Sequence, residues 1–442
     1  MKRPLSNWSG SVRFTPGDIA QPETEAEIVE LLRRTRTHRR KIRLIGSGHS
    51  FTPLVETDAT LISLERLQGV EAVDATKQLA TVRAGSTLKS LSQSFLEKGW
   101  SFENLGDINA QSIAGAISTG THGTGIHLGS LSEQVVSLTL VTADGETLHC
   151  SAKQNGDLFQ AARLSLGSLG ILTRVQLRVK PLYQLHYVSQ PLPLKEVLNN
   201  LDAYKENHRH FECYWFPYTD TVQAKFLNPT DLLPSKQRWK SIFNKLVLEN
   251  GVFWLLSEAA RLFPSLSPRV SRMSARGIPR FEEKGAAQSL FVTPRLVRFQ
   301  EMEYAIPANA LPPVLEEMKA TIESHRFPVH FPVEIRFVKG DDIWLSPAYQ
   351  QDSAFVAVHM YKGMPYQAYF SAMEQIFLRY GGRPHWGKMH SLEGKDLARR
   401  YPRWDDFLRV RQQLDPEGRF LNPYLKRILG FEETRHPAPT PS

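Results

Sequence analysis

The sequence predicts an α+β fold built as two domains, and three observations carry that prediction. The chain has 442 residues, too many for one ordinary core. Its first part alternates helical and strand periodicity. After Pro181 the pattern changes to strand-like pieces separated by longer helices, which places a boundary near residue 180. Composition agrees with a globular protein, at 41% hydrophobic and 22% charged residues.

The first element is a helix over Glu25 to Arg40, with Ile28, Leu31 and Leu32 at helical spacing, followed by a short buried strand from Lys41 to Ile45. Thr60 to Ser63 and Ala80 to Arg83 read as further strands. Thr87 to Lys98 is helical, with Leu88, Leu91 and Phe95 on one face and Gly99 as its stop. A glycine-rich stretch runs from Leu105 to Leu128. Val135 to Thr142 and Glu146 to His149 form a hairpin around Ala143-Asp144-Gly145. A helix over Asp157 to Leu164 precedes a second glycine cluster, LGSLGILTRVQLRV. Beyond Pro181, FECYWFPYTD, QAKFLN and FVTPRLVRFQEMEYAIP are strand-like, and Leu311 to His325 is a long helix. Tyr401 to Leu429 begins as a helix and continues through LDPEGRFLNPYL, and 431–442 is expected to be a disordered tail. No internal repeat is visible.

Charge and cysteine usage exclude several classes. The formal charge is +9, from 54 Lys and Arg against 45 Asp and Glu, but it is spread along the chain. The densest basic run, Arg33 to Lys41, closes a predicted helix, where cations favour the carbonyl end, and no nucleic-acid motif accompanies it. Cys150 and Cys213 give neither a disulfide framework nor a metal pattern, so no metal is expected and a reducing compartment is. The N-terminus has Lys2 and Arg3 but no apolar core of a signal peptide, so the expected location is cytoplasmic. The longest apolar stretch, Leu246 to Phe263, carries Glu249, Asn250, Glu258 and Arg261, which argues against a span. A buried or surface amphipathic helix fits it better, and peripheral membrane contact stays open.

Four stretches carry chemistry. In GSGHSF (46–51), a turn of small residues follows a strand and holds His49. Pro53 follows too soon for the Gly-x-Gly-x-x-Gly opening of a dinucleotide helix, so the loop is another kind of phosphate cradle or only structural. In GDINAQSIAGAISTGTHGTG (106–125), glycines interleave with Ser112, Ser118, Thr119, Thr121 and Thr124, which makes a concave row of donors suited to a pyrophosphate. Ile108, Ile113, Ala116 and Ile117 would anchor that run in a core. In VEIRFVKGDDIWLSP (333–347), Glu334 and Arg336 share one strand face, either a solvated face or the polar floor of a site for a hydroxylated substrate. In GGRPHWGKMH (381–390), His385, Trp386 and Lys388 follow a Gly-Gly turn, and His385 reads equally as a core histidine.

In this order the four stretches resemble the aldonolactone oxidase family, the branch of L-gulono-1,4-lactone and D-arabinono-1,4-lactone oxidases within flavin enzymes of the vanillyl-alcohol-oxidase fold. The resemblance covers roughly residues 7–185 and 295–425 and is thinner between 190 and 290, apart from FECYWFPYTD. It implies an FAD-binding domain over 1–182, an α+β cap domain over 183–400 covering the flavin, and a segment 401–430 packing back near the FAD domain. It implies that His49 carries FAD covalently through the 8α-methyl group, with Gly46, Ser47, Gly48 and Ser50 around it. It also implies that Gly106, Asp107, Ser112, Gly115, Ser118, Gly120, Thr121, His122 and Gly123 contact the pyrophosphate or flank the ring, and that Gly170 and Ile171 approach the adenine half.

The implied reaction removes the C2 hydrogen of a 1,4-lactone as hydride to flavin N5. Glu334 and Arg336 hold the substrate hydroxyls, and Glu334 accepts the proton. Lys388 places positive charge beside the reduced flavin, positioned by His385 and Trp386. A glycine at 106 accompanies oxidases, so dioxygen is the expected acceptor, hydrogen peroxide one product and an ascorbate-type enediol the other. An alditol such as xylitol or sorbitol as substrate, and a lactone dehydrogenase passing electrons to a quinone or cytochrome, are the alternatives.

Overall fold

A computed structural model describes residues 4–38, 40–233, 250–292 and 297–431. The first helix spans Glu25–Thr37, where Thr24 accepts a hydrogen bond from the Glu27 N–H (3.2 Å) and caps its start. Ile28, Leu31 and Leu32 are buried on one face, and each contributes about 1.5–3 kcal/mol by leaving water. The helix stops short of Arg40 because the Arg40 N–H turns back to the Thr35 carbonyl (3.0 Å) and feeds the strand Ile42–Ile45. That strand joins a parallel three-stranded sheet with Asp18–Ala20 and a central, fully buried Thr60–Ser63.

A five-stranded antiparallel sheet lies beside it, in the order Thr147–Ser151, Val135–Val141, Ile171–Arg178, Leu79–Arg83, Val70–Asp74. The predicted hairpin is its edge pair. The helix Leu88–Glu97 has Thr87 as cap, and Leu311–His325 has the predicted bounds. Two helices depart from the sequence reading. Ile113–Thr119 forms inside the glycine-rich run, capped by Ser112 and closed by Gly120 in the left-handed region. Pro423–Leu429 begins inside LNPYL and runs past it, with Asn422 accepting from the Leu425 N–H and Pro423 in the first turn. Residues 246–249 of the apolar stretch and 432–442 of the tail lie outside the described residues; within the stretch a helix runs over Asn250–Leu262.

After Arg178 the chain enters an eight-stranded antiparallel sheet. Its order is Phe281–Ala286, Gln184–Pro193, Thr221–Pro229, His210–Trp215, Val333–Val338, Ser353–Tyr361, Phe299–Pro307, Arg383–Pro384. The helices Leu311–His325 and Gln367–Arg379 pack on one another, and Tyr304 turns towards them, bonding Glu374 and stacking on Phe377. Strand alternation therefore turns Phe299, Glu301 and Glu303 to the opposite face.

The C-terminal segment binds back to the first hundred and seventy residues. Arg419 donates to the carbonyls of Leu32 and Ala143, Asn422 donates to those of Pro53 and Glu56, and the Ile42 N–H donates to the Arg419 carbonyl (2.8 Å). One apolar core runs without a break from Ile28 to Leu429.

Candidate active site

The strand Ile42–Ile45 delivers the 46–50 loop to the N-terminal end of the helix Ile113–Thr119. A Cβ on Gly46 would lie 2.5 Å from Ser112 Oγ and would push that hydroxyl off the Gly115 N–H it caps (3.3 Å), so glycine lets the two segments meet without disturbing the cap. Together they wall a cavity of about 360 Å³ lined by Gly46, Ser47, Gly48, His49, Ser50, Ser112, Gly115, Ser118 and Gly170. Ile171 and Gly120 do not line it. Ile171 is buried in its strand, and Gly120 packs against Leu164 and Pro347.

Arg43, which sequence reasoning missed, also lines this cavity. Its guanidinium is buried and donates to the carbonyls of Leu54, Leu166, Gly167 and Phe420. Burial lowers its pKa to about 9. Backbone amides, hydroxyls and a buried cation fit a dinucleotide diphosphate, so the residues present suit FAD.

His49 stands at the end of this cradle, stacked against Trp8 with ring centroids 6.4 Å apart. The Trp8 N–H donates to Gly48 O (2.8 Å), and the Phe51 N–H donates to Gly387 O (2.7 Å), tying the loop to the segment that carries Lys388. Burial, and then the Lys388 charge, hold the His49 pKa below its ordinary value, so the imidazole is neutral.

Beyond His49 a second group of side chains surrounds the 385–388 turn. Lys388 Nζ pairs with Glu301 at 2.5 Å and lies 5.2 Å from the centre of the Phe51 ring. His359 meets the other Glu301 oxygen at 3.4 Å. Burial raises the Glu301 pKa, but Lys388 and His359 outweigh it and bring the carboxyl to about 2. Glu303 faces His122 at 3.2 Å, and His122, Lys388 and His385 overcome its burial to hold it well below the carboxylate range. His122 Nδ1 faces Gly123 O (2.9 Å), and its ring lies 3.9 Å from that of Phe355. Gly106 sits over this corner, where a Cβ would come 2.9 Å from the His122 carbonyl.

His122, Glu303 and His385 bring potential ligand atoms within 4.8 Å of one another. However, His385 Nδ1 accepts from the Gly387 N–H (3.0 Å), and burial keeps its pKa near 4, so the neutral ring carries its hydrogen on Nε2. The cluster therefore reads as hydrogen-bonded charge rather than as a metal ligand set. Trp386 is buried, donates to Leu345 O (2.7 Å) and stacks on Tyr401, which anchors the turn.

The floor of a larger cavity, about 700 Å³, is the open face of the eight-stranded sheet. Glu334 and Arg336 are 5% and 7% exposed, so the solvated-face reading of this strand is wrong. The reason is register. The strand is central, and Glu334 pairs with Tyr214 and Arg336 with Glu212 across the ladder. Arg336 reaches Glu334 (2.6 Å), Glu212 (3.0 Å) and Asp107 (3.5 Å). Burial would lower its pKa, but these carboxylates raise it well above the ordinary value. Lys225 adds a bond to Glu212 (3.0 Å) and lies 4.1 Å from the centre of the Tyr214 ring.

The predicted catalytic residues thus fall into two groups. Glu334 and Arg336 share the cavity floor with Asp107 and Gly123 on its wall, whereas Lys388, His385 and His122 belong to the Glu301–Glu303 group. His359, which lines the cavity and touches Glu301, joins the two. Glu212, Tyr214, Lys225, Glu301 and Glu303 were missed. Their signal was polar residues at every second position of apolar strands, in FECYW, QAKF and FQEMEYAIP.

Two family models match the chain. A family model described as D-arabinono-1,4-lactone oxidase matches residues 175–428, and one described as FAD binding domain matches residues 16–151. An L-gulono-1,4-lactone dehydrogenase of Mycobacterium tuberculosis is 40% identical over 426 residues, covering 96% of this chain and 99% of that protein. An L-gulonolactone oxidase of Mus musculus is 35% identical, covering 96% and 98%. A D-arabinono-1,4-lactone oxidase of Kluyveromyces lactis is 30% identical, covering 75% and 66%. The crystal structure of cholesterol oxidase from B. sterolicum aligns with a TM-score of 0.83 over 97% of each chain; at 20% identity that likeness is one of fold.

Proposed function

The chain belongs to the D-arabinono-1,4-lactone oxidase family, and from that premise we propose that it oxidises an L-gulono-1,4-lactone-like aldono-1,4-lactone at C2. It is an FAD-dependent oxidoreductase acting on a CH–OH group. The observation that carries the substrate reading is the buried Glu334–Arg336 pair, braced by Glu212 and Asp107 on the cavity floor. A ring substrate with several hydroxyls satisfies such a floor, whose acceptors and donors are fixed before it arrives.

Arg336 orients the lactone through its guanidinium hydrogens, while Glu334 Oε accepts the proton of the C2 hydroxyl. FAD, when bound, would supply the two-electron acceptor for the C2 hydrogen, with dioxygen as the final acceptor and hydrogen peroxide as its product. His49 is the residue for its covalent attachment: the neutral imidazole is a competent nucleophile, and Gly48 and Ser50 leave room beside it. Lys388, fixed by Glu301, holds positive charge against the cofactor, and His385 and Trp386 set the turn that presents it. Gly106 keeps the ring's surroundings small, which favours oxygen as acceptor. The 2-keto lactone enolises to an ascorbate-type enediol. The compartment is cytoplasmic, with the exposed Trp254, Leu255, Leu262 and Phe263 as a peripheral membrane contact.

Oxygen uptake with L-gulono-, L-galactono- and D-arabinono-1,4-lactone against xylitol and sorbitol tests this reading. Peroxide from lactones alone is expected. Turnover of alditols alone would move the substrate to the neighbouring class, and lactone-dependent dye reduction without oxygen uptake would remove dioxygen from the scheme.

A further inference from the structure

The wall that faces the charged floor of the large cavity is apolar, through Phe253, Leu256, Ile278 and Phe291. A sugar lactone held by Arg336 and Glu334 therefore needs partners for its remaining hydroxyls at the ends of the floor. One end carries two side chains that the reaction does not use, His210 and Asn104.

His210 belongs to the strand that supplies Glu212 and Tyr214, and alternation puts all three on the cavity side. It stands two residues, about 7 Å, beyond Glu212. There the ladder to the Arg336 strand has ended, and the Gly125 N–H bonds the Phe337 carbonyl instead (2.7 Å), which brings the 123–125 segment against His210. Thr124 is pinned between the two strands: its hydroxyl donates to Phe211 O and accepts from the Phe337 N–H (3.1 Å). Its carbonyl accepts from His210 Nδ1 (2.8 Å) and from Asn104 Nδ2 (3.4 Å).

His210 thus spends its ring hydrogen on a fixed oxygen, which leaves Nε2 as an acceptor. Burial pushes the His210 pKa down to about 3, so the ring stays neutral. Asn104, with its amide nitrogen aimed at the same oxygen, is left with Oδ1. A Cβ on Gly123 would lie 2.4 Å from that Oδ1, so glycine keeps the space beside it clear. His210 and Asn104 are 0% and 2% exposed, and neither Nε2 nor Oδ1 has a hydrogen-bond partner among the described residues. Two buried acceptors call for donors, and hydroxyl groups supply them where carbonyls and carboxylates do not.

We propose that His210 Nε2 and Asn104 Oδ1 receive the two exocyclic hydroxyls of a six-carbon aldono-1,4-lactone and thereby select it over shorter lactones. This rests on the lactone reading, which sets the ring on Arg336 and Glu334 and leaves the exocyclic chain to reach past Glu212. A five-carbon lactone offers one exocyclic hydroxyl to two acceptors, and a four-carbon lactone offers none. Each acceptor left without a donor keeps its desolvation cost.

FAD-loaded enzyme without oxygen tests this, because bleaching of the flavin absorbance does not depend on the final electron acceptor. The probes are L-gulono-1,4-lactone and L-erythrono-1,4-lactone, which has the same ring hydroxyls and no exocyclic carbon. The second-order rate constant of bleaching in the parent should favour L-gulono-1,4-lactone by about a hundredfold or more. His210→Phe and Asn104→Leu should each lower it at least about tenfold for L-gulono-1,4-lactone and less than about twofold for L-erythrono-1,4-lactone. His210→Gln, whose Oε1 restores an acceptor, should recover part of the loss, which a purely structural role would not. Equal rates for both lactones in the parent, equal losses on both in the variants, or a Gln variant no better than Phe overturns the proposal. A parent bleached by sorbitol and by neither lactone overturns the lactone reading. The acceptor pair then stands if sorbitol bleaching falls about tenfold in both His210→Phe and Asn104→Leu, and falls with that reading if it does not.

Discussion

The two cavities recognise by opposite means. The smaller one, around residues 46–50 and 112–118, is a surface of backbone amides and hydroxyls with one buried cation, Arg43, and its shape depends on side chains being absent. The larger one depends on side chains being present: Glu212, Lys225, Glu334 and Arg336 form a row of alternating charge across the sheet, and Asp107 adds to it from the cavity wall. Under the proposed function the first region holds the cofactor, for which close approach suffices. A substrate that must be oriented and relieved of a proton needs fixed charge. The difference predicts that substitutions in the first region cost binding, and in the second chemistry.

The largest effect is expected at Arg336. Arg336→Ala leaves Glu334, Glu212 and Asp107 around an absent cation, and removing one partner of a buried ion cluster costs about 3–5 kcal/mol. Lactone kcat/KM should fall about a thousandfold, with FAD content near wild type. A variant that instead emptied of FAD would break the contrast. Next is Gly46→Ala, whose Cβ would sit 2.5 Å from Ser112 Oγ. In a His49→Ala background, where FAD is held without the covalent bond, its FAD affinity, read from released flavin fluorescence, should drop about tenfold or more, with kcat of the loaded fraction preserved. Loss of kcat without loss of FAD would show that the cradle takes part in the chemistry.

His49→Ala sharpens the comparison further. Yellow colour should survive acid precipitation of the parent protein and not of the variant, while the variant still binds FAD through the rest of the cradle. Colour surviving in the variant would remove His49 from the attachment. The smallest effect concerns Glu301, which bridges Lys388 and His359. Its carboxyl lies at about 2 against the ordinary 4.5, so the unfolded chain binds that proton more tightly than the folded one. Its stabilising contribution is full above about pH 4.5 and is lost as pH falls towards 2. The Tm difference between the parent and Glu301→Gln should therefore stay constant from about pH 7 to 5 and narrow as pH is lowered from about 5 towards 3. A constant difference would place the residue's role in packing instead.

Much of the smaller cavity was legible because its parts are contiguous. GSGHSF and the 106–125 run each present their glycines, hydroxyls and histidine within a few residues, and turn chemistry is local. Even there the helix Ile113–Thr119 was hidden by the glycines around it, although Ser112 and Gly120 are good boundary residues. The floor was legible only at VEIRF. Glu212 and Lys225 are ordinary charged residues in their own segments, and nothing near them in sequence says that they meet Arg336. Whether Glu334 and Arg336 face solvent or a site stays open in the sequence for the same reason: alternation tells which residues share a face, not what covers that face.

By itself the sequence determined the α+β class, the change of pattern near residue 180, the glycine cradle, His49 at its end and the family to which these belong. Such features are written in local periodicity and in positions where only a small residue fits. The tertiary structure alone decided the pairing of Lys388 with Glu301, the separation of Lys388 from the Glu334–Arg336 floor, and the apolar wall facing that floor. Those depend on how strands and turns distant in sequence are set against one another, and a charged side chain acquires its meaning only from the partners this brings beside it.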